Sequence, residues 1–316
     1  MRRRVRVLLA LVAPCASAAF APAWAPAESL TIGAWNIEHC GEPGYPKDPQ
    51  ALADYIAASG VRLLALEEIM ITHRDANGLY RNRTLDETVA KLGPTWRYVV
   101  FNTSCSAPIL CLGVLFDTSA VQPRLYTKLP TPTDMYLEHR ETGGVVRHPV
   151  LCRGPVAVWF QAGRGKTDFV LVPLHLKSNT LHDPHPEDRV NHRKAEAEQL
   201  LAALAKVLPQ IDNGRERDIY LAGDTNILHH ADADMGVFLQ AHYIDMNAAD
   251  HPTYVGTGAP FDRFIVAAAS TEVRGQSFHV QREYLARHAL EPTRFRDRYS
   301  DHYMVTFEIE VGADDD

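Results

Sequence analysis

The chain has 316 residues, 46% hydrophobic and 22% charged, with 32 basic against 39 acidic side chains and a formal net charge of −7. That is enough apolar material for one large α/β domain or two small ones. The acidic balance excludes a protein that gathers a polyanion by its overall field, so a phosphate-bearing substrate would need cations in the site or a local basic patch.

Arg2, Arg3, Arg4 and Arg6 precede an apolar run from Val7 to Ala13 and then a stretch of small residues. This is the layout of a signal peptide, too short to span a bilayer. Ala25 and Ala27 form an A-x-A cleavage signal before Glu28, with cleavage after Ala18 as a second reading. No acidic residue occurs before Glu28, which speaks against an ordinary amphipathic helix. The expectation is that 1–27 is removed and that 28–316 forms a single domain, secreted or periplasmic, without a membrane anchor. Losing four arginines leaves 28 basic against 39 acidic residues, a net charge of −11. Cys40, Cys105, Cys111 and Cys152 would remain. Export permits two disulfides in three pairings, with Cys105–Cys111 closing a short loop; free buried thiols are the alternative.

Strand-like and helix-like runs alternate thereafter. Leu30 to Asn36 alternates as a strand and ends in a turn rich in Gly and Pro. Asp48 caps a helix with Ala51, Leu52, Tyr55 and Ile56 on one face, stopped by Gly60. Val61 to Leu66 reads as a buried strand running straight into Glu67 and Glu68. Thr84 and Glu87 have capping-box spacing for a short helix that Gly93 ends. Strands are expected at Tyr98 to Phe101, Leu112 to Phe116, Val156 to Phe160 and Phe169 to Leu174, with Thr127 to Arg147 a polar surface loop. A long helix follows over Pro186 to Leu208, its inner stripe formed by Leu200, Ala203, Leu204 and Val207. Strands at Ile219 to Ala222, Phe264 to Ala268 and Tyr303 to Ile309 complete the set. No linker, repeat or low-complexity run interrupts it. The pattern suggests an α/β fold, a four-layer α-β-β-α sandwich of two mixed, mostly antiparallel sheets.

The polar residues fall at strand ends. Asn36 closes the first strand, Glu68 follows the second, and His175 follows Phe169 to Leu174. Asp224 and Asn226 come after Ile219 to Ala222, Asp262 precedes the next strand, and Asp301 with His302 precedes the last. Loops held by a rigid sheet are the usual place for a site. Gathered there, Glu68, Asp224 and Asp301 would repel by about 4 kcal/mol per close pair at an effective dielectric near ~20. A divalent cation removes that cost, and carboxylate and amide oxygens without thiolates suit Mg²⁺, Mn²⁺ or Ca²⁺. Such an ion neutralises phosphate charge, while histidines beside carboxylates carry protons and donate hydrogen bonds.

Five pieces stand in order: Trp35-Asn36-Ile37-Glu38, Leu66-Glu67-Glu68-Ile69, Pro173-Leu174-His175, Gly223-Asp224-Thr225-Asn226 and Ser300-Asp301-His302-Tyr303. Together they resemble the signature of the endonuclease/exonuclease/phosphatase family across nearly the whole expected mature chain. Pro252-Thr253-Tyr254 and Phe261-Asp262-Arg263-Phe264 are similar to its secreted deoxyribonuclease I-like branch, and Arg153-Gly154-Pro155 resembles a family arginine position. The resemblance implies a two-sheet sandwich with the site at the sheet mouth. By position, Glu68 would be the principal metal ligand, with Asn36, Asp301 and Glu38 nearby. Asp224 would orient and deprotonate the attacking water, and Asn226 would hold the phosphate. His302, supported by Asp262, would contact the phosphate or act as base, and His175 would donate from the opposite side. The implied activity is a secreted, Mg²⁺- or Mn²⁺-dependent (or Ca²⁺-dependent) phosphodiesterase that hydrolyses DNA, with RNA a further nucleic acid substrate. Rivals are a phosphomonoesterase, a sphingomyelinase-like lipid phosphodiesterase, and a silent binding module of the same fold. No protein partner is implied.

The chain departs from the family at Glu67, where Gln is usual; a second carboxylate there either strengthens metal binding or faces solvent. Met70 stands where the deoxyribonuclease branch has a minor-groove arginine, with Arg74 as substitute from the same loop. No residue matches the Glu that buttresses the branch's first histidine. Elsewhere His182, His185 and His192, and the pair His229 and His230, lack compact zinc spacing and read as surface histidines. Arg189, Arg193 and Lys194 read as a solvated helix face, and Arg294, Arg296 and Arg298 as either a phosphate-binding or a solvated loop. A lipid enzyme would need an exposed apolar hairpin, and none is evident in the sequence.

Overall fold

Both faces of the long strands are apolar, so each sheet needs cover on two sides. The computed structural model describes residues 29–104, 109–130, 135–141, 144–163, 167–179, 185–275 and 277–312; the expected signal segment lies outside them. In chain order the elements are β1 (Ser29–Cys40), α1 (Pro49–Ser59), β2 (Leu63–Met70), the short β3 (His73–Arg74) and β4 (Tyr80–Arg81), and α2 (Arg83–Leu92). Next come β5 (Trp96–Phe101), β6 (Leu110–Asp117), β7 (Val121–Lys128), the paired β8 (Tyr136–Glu141) and β9 (Gly144–Pro149), and β10 (Val156–Ala162). Then follow β11 (Asp168–His175), α3 (Pro186–Val207), β12 (Ile219–Asp224), α4 (Ala233–Gln240), β13 (Tyr243–Asp245) and β14 (Asp262–Ala267). The described chain closes with β15 (His279–Val280), α5 (Glu283–Arg287), α6 (Pro292–Arg298) and β16 (Val305–Glu310).

Two six-stranded sheets, in the orders β15-β16-β1-β2-β6-β5 and β13-β14-β12-β11-β10-β7, pack face to face. Strand alternation sorts the side chains. On β2, Leu63 and Ala65 enter the core between the sheets with Val114, Leu171, Tyr220, Phe264 and Phe307. Leu64 and Leu66 turn outward to meet Tyr55 and Ile56 of α1 and Leu85 of α2. On the far side Val170, Val172, Leu221 and Ile265 meet Leu200 and Leu204 of α3 and Met235 and Phe238 of α4. The result is the expected four-layer sandwich. Each buried Leu, Ile or Phe contributes about 1.5–3 kcal/mol.

One parallel pair sits inside each sheet, β1 with β2 and β11 with β12. Register then fixes two rows of side chains at one end of the sandwich. Asn36 is level with Glu67 in the first sheet; His175, Asp224 and Asp262 are level across three strands of the second.

Helix α1 starts at the expected cap, with the Asp48 carboxylate accepting the Gln50 N–H, and ends at Gly60 with φ 75°. For α2 the cap is Asn82, whose Oδ1 accepts the Leu85 N–H at 2.9 Å, so Thr84 lies inside the helix rather than at its start. Residues 127–147, expected as a surface loop, hold the end of β7 and most of the β8–β9 ribbon. The ribbon reads as polar because much of it stays in solvent; it leaves Tyr136, Val145 and Val146 exposed, contrary to the expectation of no apolar ribbon. Cys111 is a free buried thiol, so the expected pairing with Cys105 is not made; Cys152 is disulfide-bonded, and Cys105 lies outside the described residues. Among the described residues no helix is long and apolar enough to cross a membrane.

Gly223, with φ 142°, leaves no room for a side chain: an added Cβ would meet the Leu174 carbonyl of the neighbouring strand at 2.2 Å and Glu67 Oε1 of the opposite sheet at 2.6 Å. Gly223→Ala should therefore lower unfolding free energy by about 3 kcal/mol. Gly44→Ala, whose Cβ meets nothing within 4 Å, is the control. Chemical denaturation reads both; equal midpoints would show that the sheets yield freely at this point.

Candidate active site

A β-bulge starts the site. Pairing of β2 with β6 shifts register between Leu66 and Ile69. Across it Glu68 takes φ 60° and is part-exposed, while Glu67 is sealed inside. Bulges re-aim side chains in this way. Glu38, His39 and Asn226 also hold positive φ at the same mouth; non-glycine residues in that region cost about 1–2 kcal/mol each, and such strain tends to gather at functional sites.

Asp224 is the hub. Its Oδ2 accepts from Asn36 Nδ2 at 3.2 Å and lies 3.5 Å from His175 Nε2 and 3.8 Å from His302 Nε2. Its Oδ1 accepts the Asn226 N–H at 3.0 Å. His302 Nδ1 is 2.8 Å from Asp262 Oδ2. The loop carrying His302 is tied to β1: Trp35 Nε1 donates to the His302 carbonyl, and the Ser300 hydroxyl donates to the Asn36 carbonyl at 2.6 Å. Glu68 accepts from Asn36 Nδ2 and from the His39 N–H, each at 3.1 Å. Glu68, His175, Asp224, Asn226 and His302 border a cavity of about 330 Å³, walled further by Tyr254 and Phe261, both of whose rings lie beside His302.

Electrostatics divides the roles. Burial, with Asp262 and Glu68 adding, pushes Asp224 up to about 7 against the pull of His302. For His302 burial opposes charge, but Asp262, Asp224 and Asp301 together outweigh it and raise its pKa to about 10, so it is an imidazolium at neutral pH. Burial, helped by Arg153, His302 and His39, drives His175 well below the ordinary range. Glu68 and Asp224 near its Nε2 work the other way, yet Asp224 is itself half-protonated near neutrality, and burial prevails. One histidine is thus charged and the other neutral, a pairing suited to distinct proton roles.

Glu67 is neither a ligand nor solvent-facing, as expected, but a third case. Both carboxyl oxygens are buried without a hydrogen-bond partner. Burial, then Asp262, Asp224 and Glu68, raise its pKa well above the carboxylate range. It keeps its proton and has the shape of the Gln usual there.

Whether the residues suit a hard divalent cation can be read from their charge. Burial, with Glu38 and Glu68, also raises Asp301, so this corner is over-supplied with negative charge and with oxygen donors; Glu68 and Asp301 fit Mg²⁺ or Mn²⁺. Glu38 does not join them, being held between Lys47 Nζ at 3.1 Å and Arg296 Nη2 at 3.3 Å. Asn36 turns its Nδ2 to Glu68 and Asp224 while its Oδ1 accepts the Glu38 N–H, so it orders carboxylates rather than offering an oxygen. Arg153 clamps the exit of β11, donating to the carbonyls of His175 and Leu176. Arg74 stays on the β3–β4 ribbon, over the Tyr80 ring and donating to its hydroxyl, away from this group.

Several participants escaped the sequence reading. His39 lies 3.4 Å from Glu68; Arg296, read with its neighbours as a phosphate-binding or solvated loop, stands instead on helix α6 and bridges Glu38 and Asp301. Arg193 is buried rather than solvated: it pairs with Asp234 at 2.6 Å and donates to Asn179 Oδ1 at 2.8 Å. Asn179 in turn donates to Asn226 Oδ1 from its backbone and to the Asn226 carbonyl from its side chain. Arg193 was detectable, since it precedes Ala197, Leu200 and Leu204 at helical spacing on the inner stripe. His192 is buried against His139, and His230 pairs with Asp245, so neither is a free surface histidine; His182 lies outside the described residues.

No family model matches the chain, and no curated protein matches it. Solved structures do resemble it. An endonuclease/exonuclease/phosphatase from Bacteroides vulgatus superposes with a TM-score of 0.58 at 13% identity, over 90% of this chain and 99% of its own. The catalytic domain of human Nocturnin gives 0.55 at 13%, over 90% and 95%. D. rerio TDP2 complexed with single strand DNA product gives 0.53 at 15%, over 89% and 99%. At these identities the likeness establishes a common fold, that of endonuclease/exonuclease/phosphatase proteins.

The buried proton on Glu67 has a thermodynamic signature. The unfolded chain releases it above about pH 4.5 and the folded chain does not, so its contribution to stability falls as pH rises from there toward the raised folded value. Glu67→Gln should therefore gain stability relative to the parent as pH rises above about 5. Thermal unfolding across that range tests it; a constant difference would mean that Glu67 ionises in the fold.

Proposed function

We propose that this chain is an exported, metal-dependent phosphodiesterase that cleaves nucleic acid, DNA first and RNA besides, by in-line attack of an activated water. The observation that carries the reading is Asp224 set between a neutral His175 and a charged, Asp262-backed His302, beside Glu68 and Asp301. Asp224, near pH 7, is matched to take a proton from water. The His302 imidazolium and the Asn226 amide face the phosphate oxygens from one side, and the neutral N–H of His175 from the other. Glu68 and Asp301 would hold the divalent cation, which neutralises phosphate charge. The shared fold supports this reading, as does the DNA product held by D. rerio TDP2. The run of arginines and apolar residues at the start of the sequence supports export and, with it, the deoxyribonuclease I-like branch.

A second reading has one observation in its favour. Tyr136, Val145 and Val146 are exposed on the β8–β9 ribbon, the feature a lipid phosphodiesterase would require. One assay separates the two: purified protein on plasmid DNA, RNA, sphingomyelin vesicles and a small phosphomonoester, with Mg²⁺, Mn²⁺ and Ca²⁺ in turn. Nucleic acid should be hydrolysed, and a chelator should abolish turnover. Asp224→Ala, His175→Ala and His302→Ala should each lower turnover by about 10² to 10⁴-fold with unchanged circular dichroism. Near-full activity in all three variants would refute the site, and cleavage of sphingomyelin alone would transfer the assignment to lipid.

A further inference from the structure

We infer that a second pocket beside the catalytic cavity takes another phosphate of the same substrate, one nucleotide from the scissile bond, through Lys177 and Arg153. The inference rests on the nucleic acid reading above. The pocket has a volume of about 260 Å³ and is lined by Arg153, Lys177, His148, His192, Ser178 and Glu196 among others. Ser178 also lines the catalytic cavity, so the two adjoin. His175 faces the catalytic side, Leu176 is buried in the core between α3 and its sheet, and Lys177 faces the second pocket. Two residues of chain reach at most about 7 Å, a step on the scale of neighbouring phosphates in an extended strand.

The chemistry favours an anion. Among the described residues no carboxylate lies within 4.0 Å of the charged atoms of Lys177 or Arg153. Arg153 spends its Nη1 on two backbone carbonyls, and its Nε is buried without a partner. Among the described residues Lys177 Nζ meets only His148 Nδ1, at 3.3 Å. Burial and the neighbouring Arg189 push the Lys177 amine down to about 8, against the pull of Glu196. The pocket's acid, Glu196, is a weak counter-charge: burial raises it to about 7, and its Oε2 already accepts the Lys177 N–H at 2.6 Å. Half-buried cations without counterions are costly until an anion supplies charge-assisted hydrogen bonds.

The neighbouring His139, Glu141 and His148 place one ligand atom each within 4.8 Å of one another, a geometry that would also suit a metal ion. Charge argues against that occupant. Lys177 stands against His148, and Arg189 Nη2 lies 3.8 Å from Glu141 Oε1, so a dication would join two cations facing one carboxylate.

The test uses the full chain with Mg²⁺ and three thymidine dinucleotides: one with a 5′-phosphate, one with a 3′-phosphate, one with neither. The parent should hydrolyse one phosphorylated form with kcat/KM at least ~10-fold above the unphosphorylated one. Lys177→Gln should bring that ratio to within about twofold of unity, and Lys177→Arg should keep most of it. The parent's own ratio stands without any variant, should Lys177→Gln fold poorly. If the parent cleaves plasmid DNA but none of the three, the pocket assignment is overturned while the nuclease reading stands; if it cleaves neither plasmid DNA nor RNA, the nuclease reading itself fails. If it cleaves all three alike, or Lys177→Gln keeps the preference, only the pocket assignment is overturned. Inhibition by inorganic phosphate that depends on Lys177, without any substrate preference, would give the pocket to free phosphate instead. Binding of one Zn²⁺ per chain, lost in His139→Ala, would likewise overturn it.

Discussion

Asp224 cannot be understood apart from the carboxyl groups packed around it. Asp262 and Glu68 lie close enough to oppose its ionisation, and Asp224 in turn helps to keep the buried Glu67 protonated; in a medium of low dielectric such groups cannot all be charged. The structure resolves the conflict by unequal treatment. Glu67 stays protonated, Asp262 is matched to the charged His302, and Glu68 is turned toward solvent by a bulge. What is left is one carboxylate whose protonation is balanced near neutrality. The rest of the architecture serves to hold that distribution in place.

The rigid parts that do so lie behind the mouth rather than in it. Asn36 bridges Glu68 and Asp224 with a single amide nitrogen, and so couples a residue of the first sheet to one of the second. Behind Asn226 stands a chain of support running through Asn179 and Arg193 to Asp234. Behind His302 stand Asp262, Trp35 and Ser300. A buried ion pair such as Arg193 with Asp234 is weak evidence of stability in itself; here its arginine also holds the Lys177 carbonyl and Asn179 Oδ1, in the stretch 177–179 from which both cavities take part of their walls.

The layout was legible in the sequence to the extent that it depends on strands. Strand-like runs with helix-like ones between them announced covered sheets, and the placement of Asn36, Glu68, His175, Asp224, Asp262 and His302 at strand ends put them at a common edge. The rest depends on detail that period and composition do not carry. Whether Glu67 or Glu68 faces in follows from a one-residue bulge. Whether Glu38 is free follows from Lys47 and Arg296 arriving from elements distant in sequence. The β8–β9 ribbon looked like a loop because strands left largely in solvent need not show a hydrophobic pattern. Arg193 was misjudged because a charge on a helix usually points to water, whereas this one lies on the apolar stripe.

Order along the chain adds a further consequence. β1 is hydrogen-bonded on one side to β16, from the opposite end of the described chain, and the Ser300 hydroxyl closes onto β1 at Asn36. Asp301 and His302 therefore reach Asn36, Glu68 and Asp224 only after the segment that emerges late in synthesis has docked beside the one that emerged early. Until then the nascent polypeptide carries most of its core but lacks Asp301 and His302. A site assembled in this order stays incomplete for as long as β16 is unplaced.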